Sequence, residues 1–218
     1  MEKNKKAVKV FSKIGKAVLW ILIVFIVLYI INMVRNVIIL SDILEKESII
    51  LSSNNIYYET TSDTGMESKF YKKDEIEMFD TKVNDNRIIK WRNINTNEGI
   101  IISPNSKVAY NVKADEIVGF NMPLLVHSLN EIGEYKIYAT LSSIIYTDKN
   151  CYVIMMGCNN KTWVNKETGE VLKRQDGIIK SENNKANPAM IYYNNWKINE
   201  LTEEDMAKPD ISSFEIRQ

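Results

Sequence analysis

The sequence predicts an α+β protein in which one N-terminal transmembrane helix leads into an antiparallel β-sheet domain. Three observations carry this. "AVLWILIVFIVLYIINMV" (17–34) runs for eighteen residues without a formal charge, close to what a hydrocarbon core of about 30 Å asks of a helix. From Ile56 onward, Tyr-, Ile- and Val-rich segments of strand length replace the helical pattern. Between those segments stand Asn, Asp, Gly and Pro, the residues that turns require. A chain of 218 residues accommodates one domain with a sizeable core plus this appendage.

The flanks orient the span. Lys3, Lys5, Lys6, Lys9, Lys13 and Lys16 precede it against Glu2 alone, whereas Arg35, Asp42, Glu45, Lys46 and Glu47 follow it. The positive-inside rule therefore puts the N-terminus in the cytoplasm. A cleaved signal peptide also has a basic start and an apolar stretch. This run exceeds the usual h-region of about 7–15 residues, however, and no small-x-small site follows it. The expected organisation is a basic cytoplasmic tail over 1–16, a transmembrane helix over 17–35, a juxtamembrane helix over 36–54 and an extracytoplasmic sheet domain over 55–218. Val37, Leu40 and Leu44 continue at helical spacing before "SSNN" (52–55) breaks the pattern, and that apolar stripe favours a helix docked on the domain. The zero overall charge hides a split, since residues 17–218 carry 22 basic and 27 acidic groups. A mildly acidic outer domain argues against nucleic acid as a partner. The six lysines suit anionic lipid headgroups, so membrane lipid is the expected partner.

Strands are predicted over 56–61, 68–83, 87–93, 99–103 and 107–112, the last with Val108, Tyr110 and Val112 on one face and Ala109 and Asn111 on the other. "GFNMPLLVHSLNEIG" (119–133) predicts a helix, with Asn121 as N-cap, Pro123 in the first turn, Leu125, Leu129 and Ile132 as its apolar stripe, and Gly133 past its end. Phe120 would staple its entry. Strands resume over 134–148 and 151–157. "TWVNKETGEVLKRQDG" (162–177) reads as a hairpin whose short loop closes on Gly169, which takes positive φ without steric cost. "SENNKANP" (181–188) predicts a flexible loop, 189–201 a last strand or pair, and 202–210 a short helical turn capped by Thr202 and stopped by Pro209.

Catalytic patterns are scarce. His127 is the only histidine, so a multi-histidine metal site is excluded by counting. Nucleotide, zinc-protease and serine-hydrolase motifs are absent. Acidic pairs such as Asp74 with Glu75, or Glu203 with Glu204, fit solvated strand edges and helix starts better than a catalytic dyad. Cys151 and Cys158 sit in a segment that would be an extended strand, which separates their Cα atoms by about 23 Å at about 3.3 Å per residue. A bridge spans at most about 7 Å. The expectation is a protein that is not an enzyme and needs no cofactor.

The order of parts then resembles a known family. A leading helix, an antiparallel meander, an inserted helix, the hairpin with Trp163, Val164, Asn165, Thr168, Gly169 and Lys173, and the close with Asn195, Trp196, Asn199, Asp205, Pro209 and Asp210 are similar to the LolA/LolB/RseB-like superfamily of lipoprotein carriers and envelope-stress sensors. The resemblance covers roughly residues 37–218. It implies a strongly curved antiparallel sheet, an open half-barrel, with a helical lid over an apolar concave face. It also implies a ligand-binding hydrophobic pocket, for which Trp91, Tyr110, Phe120, Leu125, Trp163, Tyr193 and Trp196 are the candidate residues. The same aromatics would equally pack the lid, and the two roles are compatible. Lys72, Lys73, Lys90 and Arg92 are candidates for an anionic rim or for solvated edge charges. The function implied is a membrane-anchored extracytoplasmic binder of a hydrophobic ligand or a lipoprotein acyl chain. The alternative is an envelope sensor of the RseB type that binds a protein partner.

Overall fold

A computed structural model describes residues 2–120, 122–157, 160–180 and 186–217, with side chains over 15–120, 122–157, 160–175 and 189–217. Helix α1 runs unbroken from Glu2 to Ser52, about 76 Å at 1.5 Å per residue. Every side chain from 15 to 31 is exposed, and the helix over Gly15–Ser52 is long and apolar enough to cross a membrane. Burial begins at Asn36 and continues through Ile39, Leu40, Ile43, Leu44, Glu47 and Ile50. Those positions recur every three or four residues, so one helical stripe packs against the domain while the opposite side stays polar or exposed.

Twelve strands among the described residues form one curved, unclosed sheet. They are β1 (Asn55–Ser62), β2 (Met66–Lys73), β3 (Ile76–Val83), β4 (Asn86–Asn93), β5 (Glu98–Ser103), β6 (Val108–Lys113), β7 (Ser143–Asp148), β8 (Cys151–Met156), β9 (Asn160–Asn165), β10 (Val171–Lys180), β11 (Ala186–Ile198) and β12 (Glu215–Arg217). Their order is β12-β6-β5-β4-β3-β2-β1-β11-β10-β9-β8-β7, with β12 parallel to β6 and the other pairs antiparallel. Two meanders thus join where β11 pairs with β1. The register between them shifts at Tyr57/Glu59, where Asn195 takes φ 53°, the local bend a bulge produces.

This order dictates the most consequential feature of the fold. β6 and β7 lie near opposite edges, separated by ten strand spacings of about 4.8 Å each. The connection between them must therefore travel across a face of the sheet. It leaves β6 through a 3-10 turn at Ala114–Glu116, crosses as an irregular extended strap over 117–120 and 122–128, and descends through a second 3-10 turn (Leu129–Glu131) into helix α2 (Ile132–Ser142).

The inner face carries the main core. Ile56, Tyr58, Phe70, Ile145, Ile154, Val164, Val171 and Tyr193 meet α1, strap residues Leu124 and Val126, and Ala139 of α2. The outer face has a smaller core, in which Trp91, Ile100, Ile102 and Ala109 pack beneath Ile211 and Phe214 of the C-terminal segment. Met206 and Leu201 cover Tyr57 beside it.

Four sequence expectations change. The helix expected over 119–133 is instead strap up to 128 and a 3-10 turn at Leu129–Glu131, with only Ile132 and Gly133 helical, and the real helix, Ile132–Ser142, lies mostly inside 134–148, which reads as strand. Leu124 and Val126 are buried at a spacing of two, which is extended-chain burial. Tyr135 and Ala139 face inward at a spacing of four, which is helical burial. Residues 68–83 are two strands around Asp74, at φ 51°. On β6, Ala109 is fully buried while Tyr110 is exposed, because the C-terminal segment covers Ala109's face. The loop expected over 181–188 yields Ala186–Pro188 to β11. Asn121, Cys158 and 181–185 lie outside the described residues.

Candidate functional site

The strap roofs a cavity of about 280 Å³ on the inner face, lined by Tyr58, Thr60, Met66, Phe79, Gly119, Met122, Pro123, His127, Arg174, Ile191 and Tyr193. Cross-strand register explains the floor. Tyr58, Phe70 and Phe79 are paired across β1, β2 and β3, and Thr60 is paired with Tyr193 of β11, so their side chains emerge on one face. Tyr58 stacks on Phe70 at 4.9 Å and lies 4.8 Å from Trp196 between ring centroids. Phe120 reaches from the strap to both Phe70 and Phe79, at 6.3 Å in each case.

Charged residues clip the strap at both ends. At its start, Arg92 donates Nε to Glu77 (2.7 Å) and Nη1 to the Ile117 carbonyl (2.9 Å), and its guanidinium lies 4.3 Å from the centre of the Phe120 ring. Lys90 donates to the Val118 carbonyl at 3.0 Å. At the far end, Arg174 donates Nη2 to the Leu124 carbonyl at 2.7 Å, and the Leu125 amide donates to both oxygens of Glu47 at 2.9 and 3.1 Å. A chain crossing an apolar face leaves its peptide groups without strand neighbours, and these side chains supply the missing partners.

Glu47 is the unusual member. It is fully buried on α1, and burial pushes its carboxyl up to about 8, against the Leu125 and Val126 amides and Arg174, which pull it down. Tyr58 and Tyr135 are also shifted upward by burial. Farther down α1, Asn36 is buried and donates Nδ2 to the carbonyls of Thr140 (3.3 Å) and Ser143 (3.0 Å), tying the helix to the end of α2.

The hairpin over 162–177 has a role here. Gly169, at φ 77°, brings its turn so close to α1 that an added Cβ would lie 2.5 Å from Lys46 Cβ. Lys46 donates to the Lys166 carbonyl. The turn thereby holds α1 in register for Glu47 to reach the strap.

Of the seven candidate pocket residues, Phe120, Leu125, Tyr193 and Trp196 come together in the inner core. Trp91 is buried on the outer face, where its Nε1 donates to the Met206 carbonyl at 3.2 Å. Trp163 is half-buried, register-paired with Lys173, whose ammonium lies 4.8 Å from its ring centre, and Tyr110 is exposed on β6. Among the basic candidates, Lys90 and Arg92 hold the strap, and Lys73 pairs with Glu203. Reasoning from sequence missed Glu47, Arg174 and the strap. The signal for Glu47 was present, since a carboxylate sits in step with the apolar positions 40, 43, 44 and 50.

A larger hollow of about 560 Å³ lies against charged residues, with Glu59, Lys69, Asp80 and Arg87 among its lining. Arg87 grips Asp80 through two hydrogen bonds of 2.9 and 2.7 Å, so it reads as a solvated strand surface. Among the described residues, no three His, Cys, Asp or Glu side chains group to hold a metal ion. The strapped cavity offers apolar surface, two tyrosines, a guanidinium and an exposed imidazole at its edge, an arrangement suited to holding an apolar group with one polar end.

No family model matches the chain, and no curated protein matches it. Among solved structures it is similar to an uncharacterized conserved protein from Thermus thermophilus, at 10% identity and a TM-score of 0.47, over 81% of this chain and 97% of that one.

Proposed function

We propose that the protein is a membrane-anchored extracytoplasmic binder of a hydrophobic ligand or a lipoprotein acyl chain, akin to the lipoprotein carriers, and not an enzyme. In this reading residues 17–35 span the membrane with the N-terminus in the cytoplasm, and the domain from residue 55 stands outside. The sheet acts as an open half-barrel, and the outer half of α1, the strap and α2 act as its lid. The observation that carries the reading is the cavity of about 280 Å³ between the inner face and the strap. It lies just below the usual range for small-molecule sites, which begins at about 300 Å³, and room for a longer chain would come from lifting the strap between its two clips.

The test is mass spectrometry of lipids that remain with the full-length chain after extraction from its own membranes in mild detergent. Wild-type protein is expected to retain a defined acyl species, and Ile191→Trp, which fills the cavity, is expected to lose it while keeping its fold by circular dichroism. An empty wild-type protein, or equal retention by the variant, overturns the proposal. The sensor alternative draws on a different feature, the unbroken helix from span to core. Crosslinking of one defined envelope protein to an empty domain would favour it.

A further inference from the structure

The geometry points to a second lipid contact: the lower end of α2 reaches into the lipid headgroup layer beside the span, so that Ile137, Tyr138 and Leu141 on its outward face meet lipid. This inference depends on residues 17–35 being a span.

α2 runs antiparallel to α1. Tyr135, near its start, is close enough to Glu47 for that carboxylate to act on its phenol, while Thr140 and Ser143, at its end, accept hydrogen bonds from Asn36. The helix therefore descends toward the span, and its last turn arrives at the level of Asn36. At 1.5 Å per residue, Asn36 stands about 3 Å above Val34, the last residue of the uncharged run.

One side of α2 packs through Ala139 and Thr140, both buried. The other side exposes Glu134, Ile137, Tyr138 and Leu141, spaced by three and four as one helical face requires. The apolar members are open, Ile137 at 67%, Tyr138 at 61% and Leu141 at 52%, with Ile144 at 55% just beyond. Their order along the helix is informative. Glu134, the charged member, sits at the end farther from the span, while the apolar residues and the tyrosine occupy the end nearer to it. Tyrosine, with an apolar ring and a polar tip, is characteristic of the headgroup layer. On α1, within about one helical turn of Asn36, Val34, Val37 and Ile38 are exposed as well. A bilayer around α1 reaches α2 without any movement of the domain, so the occupant we commit to is lipid.

The test uses the full-length chain in phosphatidylethanolamine and phosphatidylglycerol vesicles, with Cys151 and Cys158 replaced by serine and single cysteines introduced for a fluorescent label. Ile137→Cys and Leu141→Cys report on α2. Ile26→Cys reports on the span, and Glu75→Cys reports on the turn beyond the far end of α1, about 24 Å from Asn36 along the helix. Labels on α2 are expected to be quenched by nitroxide-bearing lipid at least threefold more than the Glu75 label, approaching the Ile26 label. Quenching equal to that at Glu75, with Ile26 strongly quenched, overturns the surface contact and leaves the anchor standing. An unquenched Ile26 label overturns both. Labels on α2 shielded from lipid and from a water-soluble quencher alike would place a protein surface there, such as a second copy of the chain, and that also overturns the lipid contact.

Discussion

Replacing Gly169 by alanine is expected to cost far more than the same change at Gly65, although both glycines close β-turns with nearly equal backbone angles, φ 77° and 79°. The left-handed conformation penalises a Cβ by about 1–2 kcal/mol, offset by about 0.4–1 kcal/mol from the stiffer unfolded chain. At Gly65 the nearest heavy atom to the added Cβ is Asn84 Oδ1 at 3.9 Å, ordinary contact, so the net cost there is about 1 kcal/mol. At Gly169 the Cβ would meet Lys46 Cβ at 2.5 Å, and the backbone of Lys46 and Glu47 at 3.3 Å. Neither can yield without moving α1, and overpacking of this kind adds about 1–3 kcal/mol. Gly169→Ala should therefore lose about 2–4 kcal/mol in all. Urea unfolding of the full chain in detergent micelles, followed by tryptophan fluorescence, measures both variants. Stabilities within about 0.5 kcal/mol of each other would refute the contact between hairpin and helix, because the backbone penalty alone is common to both.

Two further outcomes follow from the core. Glu47 has a folded pKa of about 8 against an ordinary value of 4.5, so the native state holds its proton more tightly than the unfolded chain does. Stability from this group is fully present below about pH 4.5 and is lost as pH rises through 8, and urea midpoints between pH 6 and 9 should fall in wild type but lose most of that slope in Glu47→Gln. Trp196 stacks near Tyr58 and donates to the Val171 carbonyl at 3.1 Å, so Trp196→Ala should cost about 3 kcal/mol or more. Trp163→Ala, on the half-buried outer face, should cost less than half as much when both variants are unfolded in urea.

Much of the local structure was legible because it is locally caused. Gly169 and the polar run before it announce a hairpin whatever surrounds it, and Thr202 with Asp205 forms the capped turn expected of that spacing, with hydrogen bonds of 2.7 and 2.8 Å. The site was legible only in part. Phe120, Leu125, Tyr193 and Trp196 meet, but Trp91 and Trp163 emerge on the other face, since alternation sorts residues into two sets without saying which set is covered.

By itself, then, the sequence determined the apolar helix, the strand-rich domain and most of its turns, because chain length, charge and backbone preference act within a few residues. Only the tertiary structure decided which face each strand buries, that 122–128 is a strap while 132–142 is the helix, and that Glu47 lies in the core. Each of those depends on a cover supplied from far along the chain. α1 and the strap close the inner face, and residues 201–214 close part of the outer one. A residue's own neighbours in sequence carry no record of what will be laid over it.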